Sequence, residues 1–240
     1  PYVVIDNFLS LTAVDILESA CRSLQTPSDV SNNLTQRGKT SLEDWSAMPE
    51  SIALACSFFN SAPFIKLVED VTGIAQLISD PYLQGGGLHR TQHGGFLKMH
   101  TDFNWNKKLK LHRRANVLFY LNNGYSRDWK GELLFSGNPS HEEISKMQAI
   151  EPKSNRLVLF ETNDTTFHGH PVPHEFPYDF PRTSLAFYYY TVDPAPSILR
   201  RRFRSTTTKY LFSRRDSIPR SGYSFKAKIG YLLRRWISFF

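Results

Sequence analysis

Cysteine is nearly absent from this chain: Cys21 and Cys56 are the only two in 240 residues. Two thiols cannot build a framework of disulfides, and they fall far short of the cysteine-rich cage of a structural zinc site. No apolar run approaches the ~18 residues of a membrane-spanning helix. The triplet Gly85-Gly86-Gly87 lacks the GxGxxG spacing, or the lysine, of a nucleotide cradle, so it is not a phosphate site. Acidic residues almost vanish near the end: residues 200–240 hold 12 Lys and Arg against 1 Asp, whereas residues 1–199 hold 17 against 21 Asp and Glu. The excess of positive charge therefore belongs to the tail.

What is present suits one globular catalytic unit. With 40% hydrophobic and 14% aromatic residues the chain can bury a sizeable core. Residues 1 to 8 read as a strand, and Ser10 reads as the N-cap of a helix from Leu11 to Leu24. The Ser, Thr and Asn-rich stretch from Gln25 to Thr40 reads as a surface loop. Residues 49–59 and 62–74 carry helical periodicity and read as scaffold.

The chemistry is carried by three short pieces. In Gly94-Gly95-Phe96-Leu97-Lys98-Met99-His100-Thr101-Asp102 the glycines stand where a strand would begin. Residues two apart on a strand share a face about 7 Å apart, so His100 and Asp102 can close on one ion. The apolar run from Asn155 to Glu161 and the polar turn Thr162-Asn163-Asp164 precede Phe167-His168-Gly169-His170-Pro171. A hairpin there would return His168 or His170 to the mouth of the same barrel. Two imidazoles and one carboxylate leave three open positions on a six-coordinate ferrous ion, enough for a bidentate co-substrate and dioxygen together. The third piece, Arg182 to Thr191, is a strand by its aromatic and β-branched content. Arg182 and Ser184 share one face of it, where a guanidinium can hold a carboxylate bidentately with a hydroxyl beside it.

The order HxD, FHGHP, RxSLAFYYYT, with Arg114 to Asn122 and Trp129-Lys130-Gly131-Glu132-Leu133 between, resembles the iron(II) and 2-oxoglutarate-dependent oxygenases of the prolyl-4-hydroxylase-like group over about residues 80–192. The resemblance implies a mainly β fold with supporting helices (α+β), a double-stranded β-helix or jelly-roll, cupin-like barrel. It implies an oxygenase domain over 1–199, with helical support over about 1–80 and the barrel core over about 80–192, followed by a basic extension over 200–240 formed of packed helix and loop. It further implies His100, Asp102 and His168 as iron ligands, Arg182 as the clamp for the far carboxylate of 2-oxoglutarate, and Ser184 as its assistant. His168 is favoured over His170 because it directly follows an aromatic residue. Leu97 departs from the pattern, since a tyrosine usually stands three residues before the first ligand histidine. Asn116 and Tyr120 are the candidates for the missing hydrogen bond to the co-substrate. Asp102 fills the position that a small residue takes in related halogenases, so hydroxylation is the implied outcome, with succinate and carbon dioxide released. Fe(II), 2-oxoglutarate and dioxygen are the implied cofactors, with ascorbate as an auxiliary reductant. The substrate is a prolyl residue of a peptide, an amino acid or another small metabolite.

Other features are read more plainly. The loop from Phe103 to Arg114 is polar and basic; Trp105 packs it onto the barrel, and His112, Arg113 and Arg114 either stand in water or meet an anionic group. His141, Glu142 and Glu143 read as the start of a short exposed helix. Within 200–240, Phe225, Ile229, Leu232, Leu233, Trp236 and Phe240 form one stripe of a terminal helix that would pack on the barrel, meet an acidic partner or lie on an anionic membrane surface. Nucleic acid ranks below these, because no reader motif accompanies the charge. A ferrous site and few cysteines suit a cytoplasmic setting, peripheral to a membrane if the tail attaches there. Pro1 in place of a methionine is compatible with a trimmed start. The alternative to an enzyme is a non-catalytic barrel acting as an interaction module through its basic tail.

Overall fold

The computed structural model describes residues 2–25, 30–137, 143–192 and 204–211. Three helices lie on one face of a curled antiparallel sheet. Helix α1 (Leu11–Ser23) starts where Ser10 Oγ accepts from the Ala13 amide at 3.3 Å, as its side chain predicts. Helix α2 (Glu50–Phe59) follows, then α3 (Ala62–Thr72), which has Pro63 in its first turn and ends on Gly73 in the left-handed conformation. No single described helix is long and apolar enough to cross a membrane; α2 and α3 pass such a test only together, across a 48° bend, and their apolar faces are buried in this fold.

The strands are β1 (Tyr2–Asp6), β2 (Gln36–Leu42), β3 (Ile78–Ser79), β4 (Gly87–Thr101), β5 (Trp105–Asn106), β6 (Leu111–Tyr120), β7 (Leu133–Ser136), β8 (Gln148–Ile150), β9 (Arg156–Glu161), β10 (Phe167–His170), β11 (Arg182–Thr191) and β12 (Lys209–Tyr210). Their main order is β1-β9-β6-β11-β4-β10-β7-β8. Strand β4 turns this ladder into a double-stranded β-helix. Its first half pairs with β11, from Ala186↔Gly87 to Arg182↔Thr91, and its second half pairs with β10, at His170↔Leu97 and His168↔His100. The corner falls at Gly94 and Gly95. A Cβ on Gly95 would lie 2.4 Å from Thr91 Cγ2 and under 3 Å from two backbone oxygens, so only glycine permits the approach.

Strand alternation sorts β6 and β11 into two faces. Ala115, Val117 and Phe119, with Leu185, Phe187 and Tyr189, join the helices in the larger core. Phe59 of α2 stacks on Phe187 with centroids 4.6 Å apart and is fully buried; truncation to alanine would cost about 3–5 kcal/mol. The alternate positions, Asn116, Leu118, Arg182, Ser184 and Tyr188, face the barrel interior and line its cavity.

Four expectations change. Gln25–Thr40 is not wholly a loop, because Gln36–Leu42 is a strand on the free edge of β4. Glycines 94 and 95 sit inside β4 and not at its start. Strands β9 and β10 form no hairpin: β9 pairs with β1 and β6, β10 with β4 and β7, so the intervening turn crosses between the two sheets. The described part of the basic extension, 204–211, is an extended strap whose Lys209–Tyr210 pairs with β4, where packed helix and loop are expected. The stripe from Phe225 to Phe240 lies outside the described residues, as do His141 and Glu142; the turn beyond them is a single 3-10 turn, Ile144–Lys146.

Candidate active site

A cavity of about 220 Å³ opens inside the barrel. Two adjacent strands deliver its histidines: β4 carries His100 one residue before its end and β10 carries His168 directly opposite, with ring centroids 4.4 Å apart. Asp102 lies just beyond the end of β4 and turns back between them. Its Oδ1 is 3.6 Å from His100 Nε2, and its Oδ2 is 3.3 Å from His168 Nε2. One ligand atom from each of the three lies within 4.8 Å of the others.

Backbone carbonyls set the direction of both rings. His100 Nδ1 is 2.8 Å from Lys98 O and His168 Nδ1 is 3.4 Å from Thr166 O. In the tautomer with the proton on Nδ1, each donates to the carbonyl two residues earlier and leaves Nε2 with a free lone pair toward Asp102. Burial and the neighbouring His168 push His100 below the usual imidazole range, which favours the neutral, ligating form. Burial alone would raise the Asp102 carboxyl. The Arg113 guanidinium beside it outweighs burial and holds the group well below the usual carboxylate range.

Arg113 was read from the sequence as a loop residue, in water or meeting an anion. It lies in β6, 2% exposed, with Nη2 donating to Asp102 Oδ2 at 2.9 Å and Nε to Asn116 Oδ1 at 2.7 Å. Its guanidinium carbon lies 3.3 Å from the centroid of the Tyr188 ring. Asn116 completes the arrangement by donating to the same Oδ2 at 2.7 Å. Asn116 thus gives one of its two amide hydrogens to the Asp102 carboxylate and accepts from Arg113 while lining the cavity. With Oδ2 occupied, Oδ1 is the oxygen left for a metal. Earlier onset of β6, at Leu111 instead of Arg114, is what carries Arg113 inside. Arg114 remains outside near Glu161, and His112 packs against Trp105.

Arg182 enters the cavity from β11, with Ser184 beside it on the same face. Its Nε donates to Gly131 O at 2.7 Å and its Nη2 to Tyr120 Oη at 3.3 Å. Tyr120 is fully buried and does not line the cavity; it braces the guanidinium from behind. His170 lines the cavity near Arg182, apart from the three ligand atoms, and its Nδ1 has no hydrogen-bond partner. Leu97, Leu118, Leu133 and Phe160 supply apolar walls, and Leu97 gives no polar contact where the related pattern has a tyrosine.

Three contributors escaped the sequence reading altogether. Lys39 of β2 reaches the cavity from a stretch read as loop, and Thr208 and Tyr210 close its rim from the strap that holds β12. The Tyr210 ring lies 5.3 Å from His100, and Leu211 N donates to Met99 O at 2.9 Å. Trp105 packs rather than faces the cavity, lying under the Arg204 guanidinium at 3.7 Å.

A double-stranded β-helix that gathers two histidines, one carboxylate and an arginine inside its barrel has the architecture of an iron-dependent oxygenase. Residues 86–190 match the family model described as the 2OG-Fe(II) oxygenase superfamily, and solved prolyl hydroxylases share the fold. Among solved structures, a prolyl hydroxylase from Trichoplax adhaerens in complex with a hypoxia inducible factor peptide is 20% identical, with a TM-score of 0.53 over 79% of this chain and 83% of the other. A prolyl 4-hydroxylase from Phytophthora capsici is 20% identical, with a TM-score of 0.55 over 98% of this chain and 68% of the other. HygX from Streptomyces hygroscopicus, with nickel, 2-oxoglutarate and hygromycin B bound, is 15% identical, with a TM-score of 0.53 over 79% and 82%. No curated protein matches the chain. The donor set of His100, Asp102 and His168 fits Fe(II), and 2-oxoglutarate is the co-substrate the family requires.

Proposed function

We propose that the protein hydroxylates a C–H bond of a small-molecule or peptidyl substrate, with His100, Asp102 and His168 holding Fe(II) and Arg182, aided by Ser184, holding the far carboxylate of 2-oxoglutarate. The observation that carries this reading is the convergence of three ligand atoms, within 4.8 Å of one another, in a cavity that also receives Arg182. The bound iron would supply the dioxygen chemistry that splits 2-oxoglutarate into succinate and carbon dioxide and transfers oxygen to the substrate.

The chain's own residues do the positioning. Arg113 and Asn116 fix Asp102 through one oxygen, and the Lys98 and Thr166 carbonyls orient the two imidazoles. Gly131 and Tyr120 hold the Arg182 guanidinium so that its remaining N–H groups are free for a carboxylate. Leucines 97, 118 and 133 with Phe160 keep the reacting space poor in water. The solved relatives include one crystallised with a peptide and one with hygromycin B, which supports keeping both substrate classes. A cytoplasmic setting, with residues 200–240 touching an anionic membrane or acidic partner, belongs to the same proposal and rests on composition alone.

Anaerobic addition of 2-oxoglutarate to the Fe(II)-loaded protein tests the site. A visible absorption band that depends on both components is expected. Its absence would sink the reading in favour of a non-catalytic barrel. A His100→Ala protein that still converts 2-oxoglutarate to succinate would refute the ligand assignment.

A further inference from the structure

Strand register places two cations on one line across the barrel floor. Lys39 of β2 is opposite Thr91 of β4, and Thr91 is opposite Arg182 of β11. Partners in register on adjacent strands point to the same side, and two strand spacings separate Lys39 from Arg182 by about 10 Å at the backbone. All three side chains line the cavity. Lys39 is aimed there by a deliberate irregularity: β2 slips its register between Arg37 and Lys39, with Gly38 at φ +70 alongside the β4 corner.

Charge then fails to balance without another anion. The ionisable Asp, Lys and Arg side chains lining the cavity are Asp102, Arg113, Arg182 and Lys39. Asp102 and Arg113 pair with each other at 2.9 Å. Arg182 is matched by the far carboxylate of 2-oxoglutarate, whose other carboxylate belongs to the chelate on iron. Nothing remains for Lys39. Among the described residues its ammonium makes no hydrogen bond or ion pair, although Asp102 and Glu43 attract it from a distance. Burial disfavours its charge and brings it down to about 8, so it is still largely an ammonium at neutral pH and lacks a partner. Lys39 is half-buried, and a cation without a partner in a partly desolvated cavity is stabilised by an anion bound beside it.

We propose that Lys39 receives an acidic group, a carboxylate or a phosphate, of the substrate to be oxidised, which makes that substrate an anion held across Thr91 from the co-substrate. This rests on the reading of His100, Asp102, His168 and Arg182 as the iron and 2-oxoglutarate site. It narrows the field among metabolites and peptides to those presenting a negative charge near the oxidised carbon.

Two measurements on the full chain test it. The first is the 2-oxoglutarate affinity of Fe(II)-loaded wild type, Lys39→Met and Lys39→Arg proteins, read anaerobically from the absorption band. No band in the wild type means the site reading itself has failed. With a band present, Lys39→Met is expected to bind 2-oxoglutarate within about three-fold of wild type, whereas weakening of about ten-fold or more overturns the proposal by assigning Lys39 to the co-substrate. The second is reductive methylation of the wild-type protein loaded with iron and 2-oxoglutarate, followed by mass spectrometry, with exposed Lys107 as the internal reference. Acetate or inorganic phosphate is expected to slow modification of Lys39 by about five-fold or more while Lys107 is unaffected, and the more protective ion distinguishes carboxylate from phosphate. An unreactive Lys39, or one that neither anion protects, overturns the proposal. This second arm needs no variant and stands even if Lys39→Met fails to fold.

Discussion

Arg113 Nη2 and Asn116 Nδ2 both donate to Oδ2 of Asp102, at 2.9 and 2.7 Å, so the carboxylate of the candidate metal site is oriented by two residues of the neighbouring strand. Groups that orient a ligand typically contribute 10–100-fold to metal affinity. Arg113→Met is therefore expected to weaken Fe(II) binding by about that factor. It also strands a buried carboxylate, so the metal-free protein should melt lower than wild type and recover part of the difference when Fe(II) is added. Metal titration and thermal unfolding with and without Fe(II) check both parts. Equal metal affinity in Arg113→Met would show that Asp102 needs no such brace.

His168 and His170 lie in the same short strand, and a register shift between them separates their surroundings. His168 faces His100, whereas His170 lies opposite Leu97 and near Arg182. Burial, reinforced by Arg182, drives His170 well below the usual imidazole range, so it stays neutral. His168→Ala is expected to abolish stoichiometric Fe(II) binding, and His170→Ala to retain it. Titration with Co(II), a coloured probe of the same ligand set, distinguishes them; the reverse pattern would move the ligand to His170.

The Arg182 guanidinium is held by Gly131 O and Tyr120 Oη before any ligand arrives. Loss of the guanidinium in Arg182→Met should weaken 2-oxoglutarate by roughly 1.5–3 kcal/mol, the worth of a charge-assisted hydrogen bond, or about 10–150-fold. Tyr120→Phe removes one neutral brace and should cost only about 0.5–1.5 kcal/mol, two- to ten-fold. Both are read from the anaerobic absorption band. A larger effect from Tyr120→Phe than from Arg182→Met would mean that the phenol itself meets the co-substrate.

The candidate ligand triad was legible because each member sits in a strongly patterned segment. HxD ends one strand, FHGH is another, and RTSLAFYYYT is a buried strand whose alternation alone pairs Arg182 with Ser184. Arg113 and Lys39 were not legible for a shared reason: each lies beside a register shift, where period-two reasoning no longer says which way a side chain points. Both also stand in polar stretches, Lys107 to Arg114 and Gln25 to Thr40, whose composition reads as solvated loop. The long β4 was hidden by its own corner, since Gly94 and Gly95 look like a strand start when they are a bend within one. Asn116 was found on the correct face, but its hydrogen bonds to Asp102 and Arg113 were not legible. Alternation shows which residues share the barrel interior, and it is silent on which of them touch.

Burial lowers Lys39 from its ordinary value to about 8, and that shift makes a prediction about the protein without ligand. The unfolded lysine keeps its proton up to its ordinary value of 10.5, so between pH 8 and 10.5 the unfolded state binds more protons and stability contributed at this site rises with pH. The cost of the buried ammonium is thus fully present below pH 8. Lys39→Met is expected to raise the melting temperature at pH 7 by about 3–6 °C, an advantage that shrinks toward pH 10. Calorimetry at the two pH values checks it. An unchanged or lower melting temperature at pH 7 would show that Lys39 carries no buried-charge penalty.

The strap 204–211 caps the edge of β4 at the residues that matter most. Lys209 is in register with Thr101 and Tyr210 with His100, and the Leu211 amide donates to Met99 O. Asn104 and Ser205 exchange two further hydrogen bonds, Asn104 N to Ser205 O at 3.0 Å and Ser205 N to Asn104 Oδ1 at 2.6 Å. Among the described residues, this end of β4 has only the four-residue β10 on its other edge, so it depends on the strap for order. A chain truncated after Val192 should fold, because among the described residues the larger core involves none beyond Tyr189. Amide exchange around Met99 to Asp102 is expected to accelerate by about ten-fold or more, as for an unpaired edge, while exchange in β6 and β11 is unchanged. Fe(II) affinity should fall with it, since His100 and Asp102 lose their backbone support. Tyr210→Ala separates the two contributions: it removes the ring beside His100 and keeps the backbone pairing, so exchange should stay near wild type. Truncation that leaves exchange at Met99 to Asp102 unaltered would mean that β4 and β10 alone hold the ligand end of the site.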